Sequence, residues 1–197
     1  MISKLDWMRQ QFYGMAEPCP EWWTFIRLNK IDLKRVAPHC GTIGVALCKS
    51  LETSNGDTLF EFSSKGIPCV VIEAICFRRE DGNINPYTTD LVAWPLHAPD
   101  SFVTTLGTGE GCELLGAWSA YRTDKSPLRV HQTPLAWLQS DCDGCVLLKP
   151  GAGYWLHKAG GPFVCADEVH ANDIRELLGS SGRHHKIFIP NSERKAA

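Results

Sequence analysis

The chain has 197 residues, 44% of them hydrophobic and 21% charged, with 20 Lys+Arg against 22 Asp+Glu. A chain of this length and composition can bury roughly 70% of its unfolded surface, which excludes a charged disordered chain, and no apolar run approaches the roughly 20 residues of a membrane span. Residues 1–98 carry 10 basic and 11 acidic side chains and residues 99–197 again 10 and 11, so neither half has the positive excess of a dedicated nucleic-acid-binding domain.

Lys4–Tyr13 reads as a first helix, capped by Ser3 and stopped near Gly14. Glu21–Val36 reads as one amphipathic second helix. Pro20 stands at its first position, where a missing N–H costs nothing, and Pro38 stops it. Trp22, Phe25, Ile26, Leu33 and Val36 recur at helical spacing, and Trp23, Arg27, Lys30 and Lys34 line another face. The period then changes. Thr42–Ser50, Thr58–Ser63, Pro68–Arg78 and Thr89–Leu96 are rich in Val, Ile, Phe and Thr. The turn signals Asn55-Gly56, Lys65-Gly66 and Asp81-Gly82 lie between them. An antiparallel meander of about four strands is expected.

In the second half, Asp100–Leu106 and Glu113–Tyr121 look helical, and Pro134–Ser140 is a short helix with Thr133 as its cap. Cys145–Leu148 reads as a strand, Ala152–Lys158 as a helix and Pro162–Cys165 as a strand. A helix from the Asp167 cap to Leu178 ends at Gly179, and Lys186–Ile189 is a last strand. The expected class is α+β: N-terminal helices, an antiparallel sheet, then short alternating helices and strands. Residues 1–197 read as a single domain with two lobes, 1–98 and 99–190, and a frayed tail over 191–197.

Nine cysteines, an odd number, lie largely inside apolar runs, and Asp6 and Arg9 interrupt what would be the core of a secretion signal. Both features point to reduced thiols in the cytoplasm. Cys142-Asp143-Gly144-Cys145, with Cys165 and His170 downstream, has the residue types of a Cys₃His zinc site, with His131 and His157 as further candidates. The competing reading is packed core thiols, because Cys145 opens the apolar run Val146-Leu147-Leu148.

Arg183, His184, His185 and Lys186, behind a Gly/Ser loop, could hold an anion, but a loop after a helix C-terminus meets the wrong end of the dipole. Trp23, Arg27, Lys30 and Lys34 could face a protein partner, a second copy of the chain or, less favoured by the charge balance, nucleic acid. Trp22 and Trp23 cannot both face inward from one helix. Glu61, Glu73 and Asp90 fall in or beside strands. Alternation places Glu73 on the solvent face, while paired carboxylates could instead do acid–base or metal chemistry. His170 shares a helix face with Ile174 and Leu177, which fits a core histidine as well as a base.

The runs Asp90-Leu91-Val92-Ala93-Trp94-Pro95-Leu96, Pro134-Leu135-Ala136-Trp137-Leu138, Gly144-Cys145-Val146-Leu147-Leu148 and Asp167-Glu168-x-His170-Ala171 resemble proteins of bacterial prophages and other mobile elements, over about residues 66–178. The resemblance implies a bacterial or phage setting and brings no activity or site residues with it. Three functions are expected in this order: a non-enzymatic accessory or protein-binding module, a small metal-dependent enzyme that could act on nucleic acid, and a structural or virion-associated role.

Overall fold

Ser3 accepts from the backbone N–H of Asp6 at 3.1 Å and starts α1 (Lys4–Met15), as expected. The structure is a computed structural model and describes residues 2–15, 19–108, 113–120, 126–179 and 185–190. The single helix expected over Glu21–Val36 is two, α2 (Pro20–Leu28) and α3 (Leu33–Cys40). Asn29 closes α2, Lys30 takes the left-handed conformation (φ 54°), and Asp32 recaps the chain by accepting from the Lys34 N–H at 3.0 Å. The break buries Ile31 and turns Val36 and Cys40 toward the cluster that already holds Trp22, Phe25 and Ile26. Pro38, expected as a stop, lies inside α3.

The antiparallel region is a closed barrel. β1 (Ile43–Glu52) pairs on one side with β2 (Thr58–Phe62) and on the other with β3 (Ile67–Glu80), so β3 returns to β1 and not to β2 as a meander would. β3 and β4 (Asn83–Pro95) form a long hairpin. Its two-residue turn, Asp81 (φ 51°) and Gly82 (φ 83°), has the positive φ values whose twist suits a tight antiparallel turn. β5 (Val103–Thr104) pairs antiparallel to β4 and parallel to β2 at Leu59↔Thr104, closing the ring. The helix expected over Asp100–Leu106 is thus replaced by a strand, because β4 and β2 each present an edge that Val103 and Thr104 can pair. Alternation sends Cys69, Val71, Leu91 and Ala93 inward under Met8 and Phe12 of α1. It sends Val70, Ile72, Val92 and Trp94 outward against α2 and α3.

A second sheet has the order β10-β9-β7-β8-β6, with β6 (Leu114–Leu115), β7 (Leu128–His131), β8 (Cys145–Leu147), β9 (Phe163–Val164) and β10 (Ile187–Phe188). β7, β8, β9 and β10 run parallel, and β6 is an antiparallel edge. Part of the helix expected over Glu113–Tyr121 is that edge strand, and α4 (Ala117–Ala120) is the remainder. The other helices keep their expected places: α5 (Pro134–Gln139), α6 (Gly153–Ala159) and α7 (Glu168–Leu178). Thr133 caps α5 by accepting from the Ala136 N–H at 3.1 Å, and Asp167 caps α7 by accepting from the His170 N–H at 2.8 Å.

The sheet divides two cores. Leu115, Val146 and the Trp137 and Leu138 side chains of α5 pack with the barrel. Leu114, Cys145 and Phe163 pack with Leu156 of α6 and Ile174 of α7. Helices and antiparallel and parallel strands together make the chain α+β. Among the described residues no helix is long and apolar enough to cross a membrane. Residues 191–197, expected as a tail, lie outside the described residues.

Candidate functional site

The parallel sheet places one site by its topology. From the central strand β7 the chain leaves through α5 to β8 on one side. It returns through α6 to β9 on the other side, and α7 carries it further out to β10. Connections therefore diverge from the adjacent strands β7 and β9, and in such sheets ligands bind in the crevice beyond the carboxyl ends of the strands at that point. A cleft of about 460 Å³ lies there. His131, Gln132 and Thr133 line it from the end of β7, Leu147 from the end of β8, His170, Asp173 and Ile174 from α7, and Asp100 from the segment after β4.

Its two imidazoles have assigned roles. His131 Nε2 lies 2.8 Å from the carbonyl oxygen of Asp143, which only accepts, so Nε2 carries the proton and Nδ1 is the ring's acceptor. Ser140 Oγ, 3.0 Å from the same nitrogen, donates its own proton to the Trp137 carbonyl at 2.8 Å. It therefore faces His131 as an acceptor, and the pair is not a base-activated serine nucleophile. His170 is 5% exposed, and its Nδ1 accepts from the Ala166 N–H at 3.3 Å, which makes Nε2–H its donor in the neutral form. Burial holds both histidines below the ordinary range, keeping them neutral, and their proximity adds to the effect on His131.

No family model, curated protein or solved structure matches the chain. The site is therefore read from its own chemistry.

The expected zinc set is not assembled. Cys142 packs in the barrel-side core, 3.9 Å from the Val36 carbonyl, and hydrogen bonding with the Cys40 thiol, together with burial, pushes its ionisation up. Cys145 and Cys165 pack in the other core, on the far side of the sheet, and burial pushes Cys165 up to about 11. His170 is turned into the cleft. Among the described residues no three His, Cys, Asp or Glu side chains are placed to hold a metal. The physical reason is the short strand β8, whose alternation sends Val146 and its neighbour Cys145 to opposite faces.

Of the expected anion loop, Arg183 and His184 lie outside the described residues. His185 packs against the Phe163 ring at 5.5 Å and near His157 at 5.6 Å, and the carbonyl of Lys186 accepts from Phe163 N–H at 2.9 Å. These contacts tie His185 and Lys186 into the sheet's edge.

Trp22 is buried and Trp23 is 54% exposed, as the doublet requires. Arg27, Lys30 and Lys34 are also exposed, but no single helix face carries them. Trp23 and Arg27 share a face of α2, Lys30 is in the turn, and Lys34 starts α3.

The buried carboxylates are committed to the fold. Glu73 points into the barrel side under α1, correcting its expected solvent face. Its Oε1 accepts from Arg9 Nε at 2.9 Å, Tyr13 OH at 2.6 Å and Thr88 Oγ1 at 2.8 Å, and its Oε2 accepts from the Thr42 N–H at 2.7 Å. Burial opposes its charge, but these donors together hold it below the usual carboxylate range. Asp90 accepts from the N–H groups of Leu91, Thr105 and Leu106 at 2.9–3.2 Å and from Lys149 Nζ at 3.0 Å. Burial pushes Asp90 up, opposed by the Lys149 ammonium.

Sequence reasoning named His131, Thr133 and His170 but missed Asp100, Gln132 and Asp173 as parts of one site. The available signal was the alternation of short strands and short helices after residue 127, which marks a parallel sheet and its crevice.

Proposed function

We propose that the protein is a non-enzymatic binding module whose ligand sits in the cleft between the ends of β7 and β8 and the helix α7. The observation that carries this reading is the coincidence of the cleft with the point where the connections of the parallel sheet diverge. The fold uses Thr133 as a cap and one ring nitrogen of each histidine, which leaves His131 Nδ1 and the exposed carboxylates of Asp100 and Asp173 toward the cleft. A binding role is favoured over catalysis because Ser140 is not activated, the buried carboxylates are saturated with donors, and the thiols of Cys142 and Cys165 are held protonated. The metal-dependent alternative loses its donor set with the separation of Cys142 from Cys145, Cys165 and His170. The eight described cysteines are free thiols, which supports a reducing cytoplasmic setting. An accessory role in a bacterium or phage belongs to the same proposal and rests on the sequence resemblance of residues 66–178 alone.

The test is imidazole NMR of His131 and His170 during titration with a panel of small amines, carboxylates, phosphates and sugars. Selective shifts of these two rings by one class are expected. A panel that leaves both unmoved overturns the reading.

A second reading, a protein partner or self-association through α2, rests on the exposure of Trp23 (54%) and Leu28 (72%). Trp23→Ala is expected to abolish partner capture or a concentration-dependent increase in mass by sedimentation. An unchanged result removes this surface from consideration.

A further inference from the structure

We infer that Cys69 is a modification site, a thiol that hydroperoxides oxidise to the sulfenic acid, with Cys48 as its hydrogen-bond donor. The inference concerns the barrel and is independent of the cleft.

Four strands bring their ends together at one mouth of the barrel. A cavity of about 280 Å³ opens there, between the second half of β1, the start of β3, the end of β4 and the start of β5. Phe60 and Ala93 wall it, and Cys48 and Cys69 line it. The two thiols are only 4% and 5% exposed, so the cavity is their route to solvent. Exposed Lys49 and Lys65 also line it, and among the described residues no carboxylate does. A small neutral oxidant fits this path, and the positive rim favours a thiolate within.

The ladder sets the two sulfurs side by side. Ala46 pairs with Cys69 and Cys48 with Ile67, so the two cysteines are diagonal neighbours on the inner face. Cys48 Sγ leans back to 3.7 Å from the Ala46 carbonyl, toward the rung that carries Cys69. The Cys48 thiol, helped by its backbone N–H, hydrogen-bonds with the Cys69 sulfur and holds the ionisation of Cys69 below the ordinary thiol range against burial. The same contact, together with burial, pushes Cys48 up. The pair is thus divided into a nucleophile and a donor. Diagonal neighbours have Cα atoms roughly 7–8 Å apart, whereas a disulfide spans roughly 4.4–6.8 Å. The pairing of β1 with β3 therefore keeps Cys48 a donor and not a disulfide partner.

In the step itself the Cys69 thiolate attacks one oxygen of hydrogen peroxide. An S–O bond forms and the O–O bond breaks. The sulfur is oxidised by two electrons. The departing oxygen is reduced and leaves as water, carrying the proton that the thiol gave up.

The reduced full-length chain is exposed to hydrogen peroxide in the presence of dimedone, which traps sulfenic acids, and the adducts are located by peptide mass spectrometry. Cys69 is expected to carry at least about tenfold more adduct than any other cysteine, including the more exposed Cys19. Cys48→Ala should slow labelling of Cys69 by about threefold to tenfold, and Cys48→Ser, which keeps a donor, should stay within about twofold of the parent. Preferential labelling of Cys19, no adduct on Cys69 in the folded protein, or a Cys48–Cys69 disulfide in place of the adduct overturns the inference. Unchanged labelling in Cys48→Ala also overturns it. Should that variant not fold, the distribution of adduct in the parent decides.

Discussion

Glu73 shows how far one side chain can be committed to structure. Four donors from α1, β4 and the turn before β1 converge on it, so replacing the carboxylate leaves several of them without a charged acceptor. Glu73→Gln is expected to cost about 2–4 kcal/mol in urea unfolding. Its pH signature has a definite sign. The folded-state value lies below the ordinary 4.5, so its contribution is present above pH 4.5 and is lost as pH falls through that value and below. The cleft histidines act in a higher window. Both lie below the ordinary 6.5 in the folded state, so on acidification the unfolded chain takes up protons first. Stability should fall as pH drops below 6.5 and be unaffected by them above it. Urea midpoints at pH 7.5 and 5.5 measure this slope, and His170→Gln should remove its share. Period-2 alternation correctly marked Glu73 as lying in a strand. It could not show that the face opposite the second core is covered by α1, because that depends on a contact across 64 residues of chain.

Helix ends were the most legible elements. Ser3, Thr133, Asp167 and Gly179 mark α1, α5 and α7 because a cap is a local chemical event, a side-chain oxygen meeting an orphan N–H or a glycine turning the chain. The break between α2 and α3 was hidden. Lys30 is a good helix former, and its left-handed backbone is imposed by the burial of Ile31 and the recapping by Asp32. Because that conformation is strained for lysine and free for glycine, Lys30→Gly is expected to stabilise the protein by about 0.5–1 kcal/mol, read as a rise in melting temperature. Of the two-residue strands, β9 and β10 fall inside expected strands, whereas β5 and β6 lie where helices were expected. Val103-Thr104 is a strand because β4 and β2 are there to pair with it. β7 went unrecognised because Leu128-Arg129-Val130-His131 alternates apolar and charged or polar residues over only four positions, whereas the shorter β8 is a continuous apolar run. The cleft shared this fate: its individual histidines were visible, but its assembly depends on strand order.

At the scale of the whole molecule, the Asp90–Lys149 pair joins the barrel to the segment that follows β8, with both side chains almost wholly buried. Lys149→Met should be severely destabilising, by about 3–5 kcal/mol, since it leaves the Asp90 carboxylate inside without its cation. Adding Asp90→Asn should restore part of the loss. Chemical unfolding followed by tryptophan fluorescence and by far-ultraviolet circular dichroism measures both. Coincident transitions in the parent protein would show the barrel and sheet unfolding as one unit. Barrel closure has a kinetic corollary. β2 and β5 meet at the single pair Leu59↔Thr104, whereas β3 and β4 are joined along nearly their whole length. The residues just past β5, Thr105 and Leu106, donate their N–H groups to Asp90. Peeling β5 away would therefore unzip the seam and withdraw two of the donors of the buried carboxylate in one motion. Amide protons of residues 103–106 should exchange with solvent deuterium as a group, well before those of the β3–β4 hairpin, and the barrel would breathe through a seam latched by its own buried charge.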